Sequence, residues 1–477
     1  MNFVSPDFSP VVPEIFLLCM TSLILVVDLF VDDRRRYVTY LLSLLSVLVT
    51  AILCVPMLEQ AAVETFGGMF VLDRLAVALK IAVLVTVAAV MVYSRDYLAS
   101  RGLHKGEFYL LTLFATMGMM VIISGAHFIT LYLGLELMSL SLYAMVALNR
   151  DSAVAAEAAM KYFVLGAIAS GMLLYGMSIL YGVTGSLYVA QVAEEVMAAR
   201  VGNVALILGV VFIVASLAFK LGAVPFHMWL PDVYQGANTP ITLLVGTAPK
   251  IAGFAMFMRL LVEGLEGLYA DWRDMLILMS VLSLAVGSIV AIAQTNIKRM
   301  LAYSTIGHIG FLLLGIIAGT DEGYGAAMFY TLVYVLMAAG AFGMIILLSH
   351  QGLEAENIDD FKGLNERSPW FALIMLLLMF SMAGVPPTVG FYSKLAVLNA
   401  VVQQGMYWLA IVAVIFAFIS AYYYLRVVKV MYFDAPTHHE PFEPSFDMRA
   451  LLTANGLIVL ILGIVPGGLM ELCASAF

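Results

Sequence analysis

Charged residues are scarce in this chain of 477 residues: Asp, Glu, Lys and Arg make up 12% of it, whereas 63% of the residues are hydrophobic. Soluble globular proteins carry about 25% charged residues, so this composition excludes an ordinary soluble domain. The mean hydropathy of +1.02 is typical of a polytopic membrane protein. The formal net charge of −9 gives no basis for a nucleic-acid partner.

Cysteine is also scarce. Cys19, Cys54 and Cys473 form no Cys-x-x-Cys pair and have no histidine nearby at the spacing of metal ligands. This excludes the usual sequence patterns of zinc, iron–sulfur and disulfide sites. His438 and His439 are adjacent in a polar loop, and we interpret them as a solvated pair. We therefore expect no metal and no cofactor in this chain.

Long apolar stretches are abundant. A helical span needs about 20 apolar residues to cross roughly 30 Å of hydrocarbon, and the sequence contains fourteen such stretches. They are 11–31, 36–56, 72–94, 106–124, 127–148, 153–182, 203–230, 239–262, 273–294, 298–318, 324–349, 368–402, 405–432 and 449–471. Backbone groups in lipid must be paired within the chain, so we predict an all-α polytopic membrane protein.

The connections between these stretches are short, which excludes a soluble catalytic domain within the chain. The first stretch opens with Pro13 and Glu14 instead of a basic region. We expect it to be a retained span and not a signal peptide.

Basic residues are distributed unevenly between the two sets of alternate loops. One set contains thirteen Lys and Arg residues, and the other contains only Arg74, Arg200 and Arg273. The positive-inside rule makes the first set cytoplasmic. With fourteen spans, both termini are then predicted on the non-cytoplasmic side of a bacterial inner membrane.

Two similar segments lie in unusually long spans, Phe219–Pro225 in span seven and Phe380–Pro386 in span twelve. Both carry Gly and Pro in mid-span, where proline interrupts the helical hydrogen bonds, so we predict that helices seven and twelve are discontinuous. An offset of five spans turns the second copy upside down, which predicts two inverted five-helix repeats. Such repeats place ion sites near the bilayer midplane. The alternative is a pair of ordinary proline kinks.

The repeats divide the chain into four parts. We predict three N-terminal helices in 1–105, the first repeat of helices 4–8 in 106–265, the second repeat of helices 9–13 in 266–433, and a loop with helix 14 in 434–477.

Five charged residues lie inside apolar stretches: Glu136, Lys161, Lys220, Lys250 and Lys394. A charge at the bilayer centre costs about 2.5–3.5 kcal/mol on insertion scales, so such residues are expected to be paired or functional. A buried amine can lose and regain a proton more readily than a solvated one. The five residues therefore predict a proton relay.

Each member of this set also has a structural interpretation. Glu136 could be a neutral carboxyl group between helices, Lys161 could form an ion pair with Glu157, and Lys394 could be an interfacial anchor. His227 and His308 could extend the relay, although a lone histidine is more often a packing residue. We leave Lys80, Asp28, Arg259, Arg426 and Glu14 out of the set, because they lie near span ends, where a long side chain reaches water.

Several short motifs carry a specific resemblance. They are Leu135-Glu136-Leu137-Met138-Ser139-Leu140, Met160-Lys161-Tyr162-Phe163, Phe219-Lys220, Val224-Pro225-Phe226-His227-Met228-Trp229-Leu230-Pro231-Asp232, Ala248-Pro249-Lys250 and Arg299-Met300-Leu301-Ala302-Tyr303-Ser304-Thr305-Ile306-Gly307-His308. Over essentially its whole length the chain resembles the antiporter-like membrane subunits of respiratory complex I, the bacterial NADH-quinone oxidoreductase. A lysine instead of a glutamate at position 394, and no long lateral C-terminal helix, resemble the N-type of these subunits.

The resemblance implies roles for the charged residues. Glu136 and Lys161 would form a coupled pair, Lys220 and Lys250 a central relay, and Lys394 the exit. It also implies a hetero-oligomeric complex in the bacterial inner membrane that oxidises NADH, reduces quinone and pumps protons. NADH, FMN, iron–sulfur clusters and quinone would be bound by partner subunits.

Three other functions remain open from the residues alone. The chain could be a cation/proton antiporter subunit of a multisubunit sodium–proton antiporter or of a membrane-bound hydrogenase. It could be a stand-alone solute permease with a midplane pocket, or a structural spacer whose lysines stabilise helix packing.

Overall fold

The computed structural model describes residues 5–32, 35–198, 202–349, 354–436 and 445–477, and His438 and His439 lie outside these ranges. The described chain is mostly helical. Its α-helices are α1 (Val12–Asp28), α2 (Tyr37–Cys54), α3 (Arg74–Ser100), α4 (Gly106–Ser124), α5 (Phe128–Val146), α6 (Ala153–Thr184), α7 (Val189–Ala198), α8 (Val204–Leu221), α9 (Trp229–Gly236), α10 (Thr239–Gly246), α11 (Ala248–Phe257), α12 (Tyr269–Ile292), α13 (Ile297–Ile317), α14 (Asp321–Leu348), α15 (Leu364–Arg367), α16 (Pro369–Ala383), α17 (Val389–Gln403), α18 (Tyr407–Phe433), α19 (Phe446–Ile464) and α20 (Gly467–Ala474).

Within the described ranges, thirteen helical segments are long and apolar enough to cross a membrane. Each corresponds to one of the predicted spans. The remaining predicted span, 368–402, is made of the two shorter helices α16 and α17. Helices α13 and α14 are buried over most of their surface and form the centre of the bundle, whereas α1, α6, α18 and α19 leave most of their apolar surface uncovered.

Polar residues at the helix starts explain where several helices begin. The Asp73 side chain accepts a hydrogen bond from Ala76 N at 2.7 Å before α3, and Asn296 accepts one from Arg299 N at 3.0 Å before α13. These N-caps satisfy backbone donors that have no intrahelical partner.

The structure shows that the predicted spans seven and twelve are each interrupted. Helix α8 ends at Leu221 and α9 begins at Trp229, whereas α16 ends at Ala383 and α17 begins at Val389. Both first halves end on a glycine in the left-handed region with φ of 88°, Gly222 and Gly384. Glycine adopts this conformation without the steric cost of a Cβ, so it closes the helix there.

The two breaks match in a register that differs by one residue from the sequence alignment. Gly222 corresponds to Gly384, and the cis prolines Pro225 and Pro387 correspond to each other. The alignment had instead paired Pro225 with Pro386, one position away, because the second copy has two adjacent prolines and its cis proline is the second of them. The inverted five-helix arrangement remains a prediction.

A third break lies in span eight and was not predicted. Helix α10 ends at Gly246, Thr247 has the non-helical angles φ −122° and ψ −93°, and α11 starts at Ala248. Its signal was present in the sequence as Pro249, which occupies the first turn of α11. Lys250 therefore lies beside a helix start and not within a continuous helix.

The prediction of an all-α membrane protein is confirmed, and one small strand pair accompanies the helices. Residues Val63–Thr65 (β1) and Phe70–Leu72 (β2) form an antiparallel hairpin between α2 and α3. The last predicted span also ends earlier than expected, at Ile464, and Pro466 precedes the separate short helix α20.

Replacing Gly384 by alanine tests the importance of the left-handed helix end. The alanine would have to adopt φ of +88°, and its Cβ would lie 2.9 Å from Lys394 Cδ. We expect Gly384→Ala to lower stability by about 1–2 kcal/mol, the cost of a left-handed residue with a Cβ, and to lower the thermal unfolding midpoint of the detergent-solubilised protein.

The matched control is Gly171→Ala in α6, because a Cβ at Gly171 has no neighbouring atom within 4 Å. That change should leave the midpoint equal or slightly higher, since alanine is the better helix former. Equal midpoints for both variants would contradict the proposed role of Gly384.

Candidate functional site

Lys220 lies in the last turn of α8 and points between α5 and α6. Its Nζ donates to Ser139 Oγ at 3.1 Å, to Tyr143 Oη at 3.4 Å and to Ser170 Oγ at 3.4 Å. All three acceptors are neutral hydroxyl groups. The amine is therefore held by hydrogen bonds without a carboxylate in contact among the described residues.

Lys250 lies in the first turn of α11, where the break in span eight turns its side chain towards α8. It is 1% exposed, and its Nζ donates to the Leu221 carbonyl at 2.7 Å. The Nζ also lies 5.2 Å from the centre of the Trp229 ring. Lys250 thus satisfies the last carbonyl of α8, directly beside Lys220.

The two lysines line one small internal cavity of about 10 Å³, together with Ser139, Tyr162 and Trp229. This volume is enough for about one water molecule. A single water with hydroxyl and amine neighbours would bridge groups that are not in direct contact. The structure therefore brings together the two central residues predicted from the sequence.

Glu136 lies one turn before Ser139 on α5 and is half-buried. Its Oε1 atom is buried and has no hydrogen-bond partner among the described residues. Met138 and Ser139, which follow Glu136 within one turn on α5, line the Lys220 cavity. Glu136 is therefore placed beside the Lys220 cavity, although it makes no direct ion pair with a lysine in the described part of the chain.

Lys161 differs from the expected deep position. Its side chain is 44% exposed, and its Nζ lies 2.8 Å from Glu157 Oε1 and 2.8 Å from Asp232 Oδ2. Asp232 also binds Arg299 at 2.8 Å. Among the described residues Lys161 forms no ion pair with Glu136, and the implied coupling of the two stays a prediction. The ion pair with Glu157 is present, and Asp232 adds a partner that the sequence analysis missed although it stands in a quoted motif.

Lys394 lies on α17 and reaches back to the end of α16. It is 7% exposed, and its Nζ donates to the carbonyls of Met382 at 3.0 Å and Ala383 at 2.9 Å. The Nζ also lies 5.1 Å from the centre of the Phe311 ring. This burial is inconsistent with an interfacial anchor.

His308 is buried at the centre of the bundle, with both ring nitrogens in hydrogen bonds. Nδ1 lies 2.7 Å from Tyr330 Oη, and Nε2 lies 3.0 Å from Tyr424 Oη. Tyr424 Oη in turn hydrogen-bonds Ser304 Oγ. His308 and Lys394 line a second cavity of about 10 Å³, so the structure places this histidine beside the twelfth-span lysine.

His227 lies in the segment between α8 and α9. Its Nδ1 is buried and has no hydrogen-bond partner among the described residues. The described contacts do not connect it to Lys220 or Lys250.

A row of hydroxyl groups lies between the two cavities. Tyr334 Oη donates to the Gly246 carbonyl at 3.2 Å, at the break next to Lys250, and lies 2.8 Å from Thr305 Oγ1. The Tyr334 ring is 5.2 Å from the His308 ring, centre to centre. Nothing in the sequence distinguishes Tyr334, because a tyrosine within an apolar helix is ordinary.

Three charged groups that the sequence analysis set aside, Lys80, Glu14 and Arg259, are buried in ion pairs. Lys80 Nζ is 2.5 Å from Glu14 Oε1, with both side chains at most 6% exposed. Arg259 is 1% exposed and binds Asp73 at 2.7 Å and Glu263 at 2.6 Å. The assumption that they extend to the interface was wrong, because helix packing covers these ends of the spans.

Among the described residues, no group of three or more His, Cys, Asp or Glu side chains is arranged to hold a metal ion.

Removing one partner of the Glu14–Lys80 pair should destabilise the N-terminal helices. Lys80→Met leaves the Glu14 carboxyl group buried without its cation, which costs about 3–5 kcal/mol. We expect a lower thermal unfolding midpoint and less assembled protein. The double variant Glu14→Leu with Lys80→Met should recover most of the loss, because a buried pair is often replaceable by apolar residues. No recovery would show that the charges have another role.

Comparisons with known proteins agree with this architecture. Residues 125–420 match the family model described as NADH:quinone oxidoreductase/Mrp antiporter, TM. The chain is 62% identical over 477 residues to NADH-quinone oxidoreductase subunit N of Thioalkalivibrio sulfidiphilus (strain HL-EbGR7), covering 100% of this chain and 99% of that protein.

Solved structures give the same result. A chain of respiratory complex I from Thermus thermophilus with bound aureothin superimposes with a TM-score of 0.82 at 30% identity, covering 97% of this chain and 99% of that chain. A chain of the Mrp complex from Dietzia sp. DQ12-45-1b has a TM-score of 0.86 at 19% identity, covering 98% and 96%, which shows a shared fold alone. The chain therefore belongs to the NADH:quinone oxidoreductase/Mrp antiporter family and, within it, to the subunit N proteins of NADH-quinone oxidoreductase.

Proposed function

We propose that this chain translocates protons as a membrane-arm subunit of an NADH-quinone oxidoreductase. The observation that carries the proposal is the pair of small cavities, one lined by Lys220 and Lys250 and the other by His308 and Lys394. The proton would move among Glu136, Lys220, Lys250, His308 and Lys394. The ion-paired Lys161, at the exposed side, and His227 are proposed as additional members.

The partners of the lysines distinguish relay residues from structural ones. Among the described residues, Lys220, Lys250 and Lys394 bind only hydroxyl or carbonyl oxygens. By contrast, the buried Lys80 and Lys298 each bind a carboxylate, at 2.5 Å and 2.6 Å. A carboxylate stabilises the ammonium form, whereas neutral acceptors in a region of low dielectric favour it less. The three lysines are thus the ones suited to exchange protons.

A route between the cavities follows the hydroxyl groups. Lys250 stands four residues after Gly246, whose carbonyl accepts from Tyr334. Tyr334 contacts Thr305 and the ring of His308. Tyr424 then connects His308 with Ser304 beside Lys394. Hydroxyl groups both donate and accept hydrogen bonds, so they can pass a proton without carrying a lasting charge.

The energy for translocation would come from partner subunits. This chain would assemble with the other membrane-arm subunits in a bacterial inner membrane, with both termini on the non-cytoplasmic side. NADH, FMN, iron–sulfur clusters and quinone would be bound in those partners. The name of the 62% identical relative, NADH-quinone oxidoreductase subunit N, supports this assignment over an antiporter or hydrogenase subunit. We also retain the division into residues 1–105, 106–265, 266–433 and 434–477, with the two middle parts as repeats.

Replacing Lys250 by methionine tests the relay. Methionine keeps the length and apolar character of the side chain but cannot carry a proton. We expect Lys250→Met to lower the initial rate of proton pumping by about tenfold or more in vesicles containing the assembled complex, since a positioned proton-transfer group contributes about 10²-fold to the rate of the step it serves.

The control is Lys429→Met, because the Lys429 side chain is 64% exposed and pairs with Asp434 at 2.8 Å. It should pump normally. Normal pumping by Lys250→Met in a fully assembled complex would leave only a structural role for this lysine and would end the relay proposal.

His308 offers a separate test. Glutamine can keep hydrogen bonds to Tyr330 and Tyr424 but cannot accept a proton as imidazole does. We expect His308→Gln to reduce pumping several-fold while changing the thermal midpoint little. If instead His308→Gln pumped normally and His308→Leu merely unfolded, the histidine would be a packing residue.

A further inference from the structure

A cleft of about 330 Å³ opens between α14, α17 and α20, on the other side of α17 from the Lys394 cavity. Pockets that bind small molecules begin at about 300 Å³. The cleft shares no lining residue with either of the lysine cavities. None of the residues considered for proton transfer contributes to it.

The polar groups of the cleft are concentrated at one end. Glu322 is in the first turn of α14, and Phe329 follows seven residues later, about 10 Å deeper along the helix axis. On α17 the order is reversed. Gln403 at the end of α17 donates to Glu322 Oε1 at 3.3 Å, and Ala396 lies about two turns away from it. The mouth of the cleft is thus polar and its interior apolar, which matches the polar and apolar ends of an amphiphilic molecule.

The charge at the mouth is negative. Glu322 from α14 and Glu471 from α20 both line the cleft, and both are exposed. Neither forms an ion pair among the residues that the structure describes. Two carboxylates beside an apolar cleft are complementary to an ammonium group that carries a hydrocarbon chain, whereas they repel an anionic headgroup.

We propose that this cleft binds a membrane phospholipid with a primary ammonium headgroup, of the ethanolamine class. Its ammonium would lie between the Glu322 and Glu471 carboxylates, with Asn399 beside it, and one acyl chain would follow α14 towards Phe329. Such a lipid would contact three helices that are far apart in sequence. It would fill the space between α17 and α20 and hold α17 against α14.

The test is photo-crosslinking in the assembled complex. The purified complex is reconstituted in nanodiscs with a phosphatidylethanolamine or a phosphatidylglycerol that bears the same acyl-chain diazirine, and the crosslinked peptides are identified by mass spectrometry. We expect crosslinks to the peptides containing Phe329 and Met470 with the ethanolamine lipid. The double variant Glu322→Gln with Glu471→Gln should reduce them about threefold, the change expected for partly exposed ion pairs.

The control variant Glu194→Gln with Glu195→Gln removes two exposed carboxylates of α7, outside the cleft. It should leave the crosslinks unchanged. Equal labelling by both lipids, or equal labelling of the wild type and the Glu322/Glu471 variant, would overturn the headgroup assignment. No labelling of the cleft by either lipid, with crosslinks to another subunit instead, would show that protein covers it and would overturn the proposal entirely.

Discussion

The structure depends on how the carbonyl ends of interrupted helices are satisfied in an apolar surrounding. A helix that stops within the bilayer leaves its last carbonyls without intrahelical donors, and these oxygens carry a partial negative charge. Here Lys250 donates to the end of α8, and Lys394 donates to the end of α16. The ends of α8 and α16 thus each receive a buried amine, whereas the end of α10 at the third break receives the Tyr334 hydroxyl.

The buried cations fall into two groups that differ in their hydrogen-bond and ion-pair partners. Lys80 binds Glu14 and joins α3 to α1, whereas Arg259 binds Asp73 and joins the segment after α11 to the start of α3. Such pairs hold their charges and are suited to structure. Lys250 and Lys394 have carbonyl partners, so the free energy difference between their charged and neutral forms is smaller. The lysines of the proposed relay therefore differ from the other buried lysines in their partners and not in burial alone.

Much of the architecture could be predicted from the apolar composition and from the positions of glycine and proline. The apolar stretches gave the spans because bilayer thickness fixes their length, and Gly and Pro in mid-span gave the breaks of the seventh and twelfth spans. The third break, at Thr247, was missed because apolar residues continue on both sides of it, so that residues 239–262 were predicted as one span. The one-residue difference in register between the two breaks arises because Pro386 and Pro387 are adjacent. The short alignment paired Pro225 with Pro386, whereas the cis proline in the structure is Pro387.

The sequence by itself determined that this is a multi-pass membrane protein and which lysines lie within apolar stretches. These lysines were candidates for a function because a charge in an apolar stretch is costly wherever that stretch packs. Only the tertiary structure decided what each charge contacts. Lys161 is exposed and paired with Asp232, whereas Lys80 is buried and paired with Glu14. The physical reason is that the number of residues from a span end gives the position of a residue along its helix. Its contact partners, by contrast, come from segments far apart in the chain.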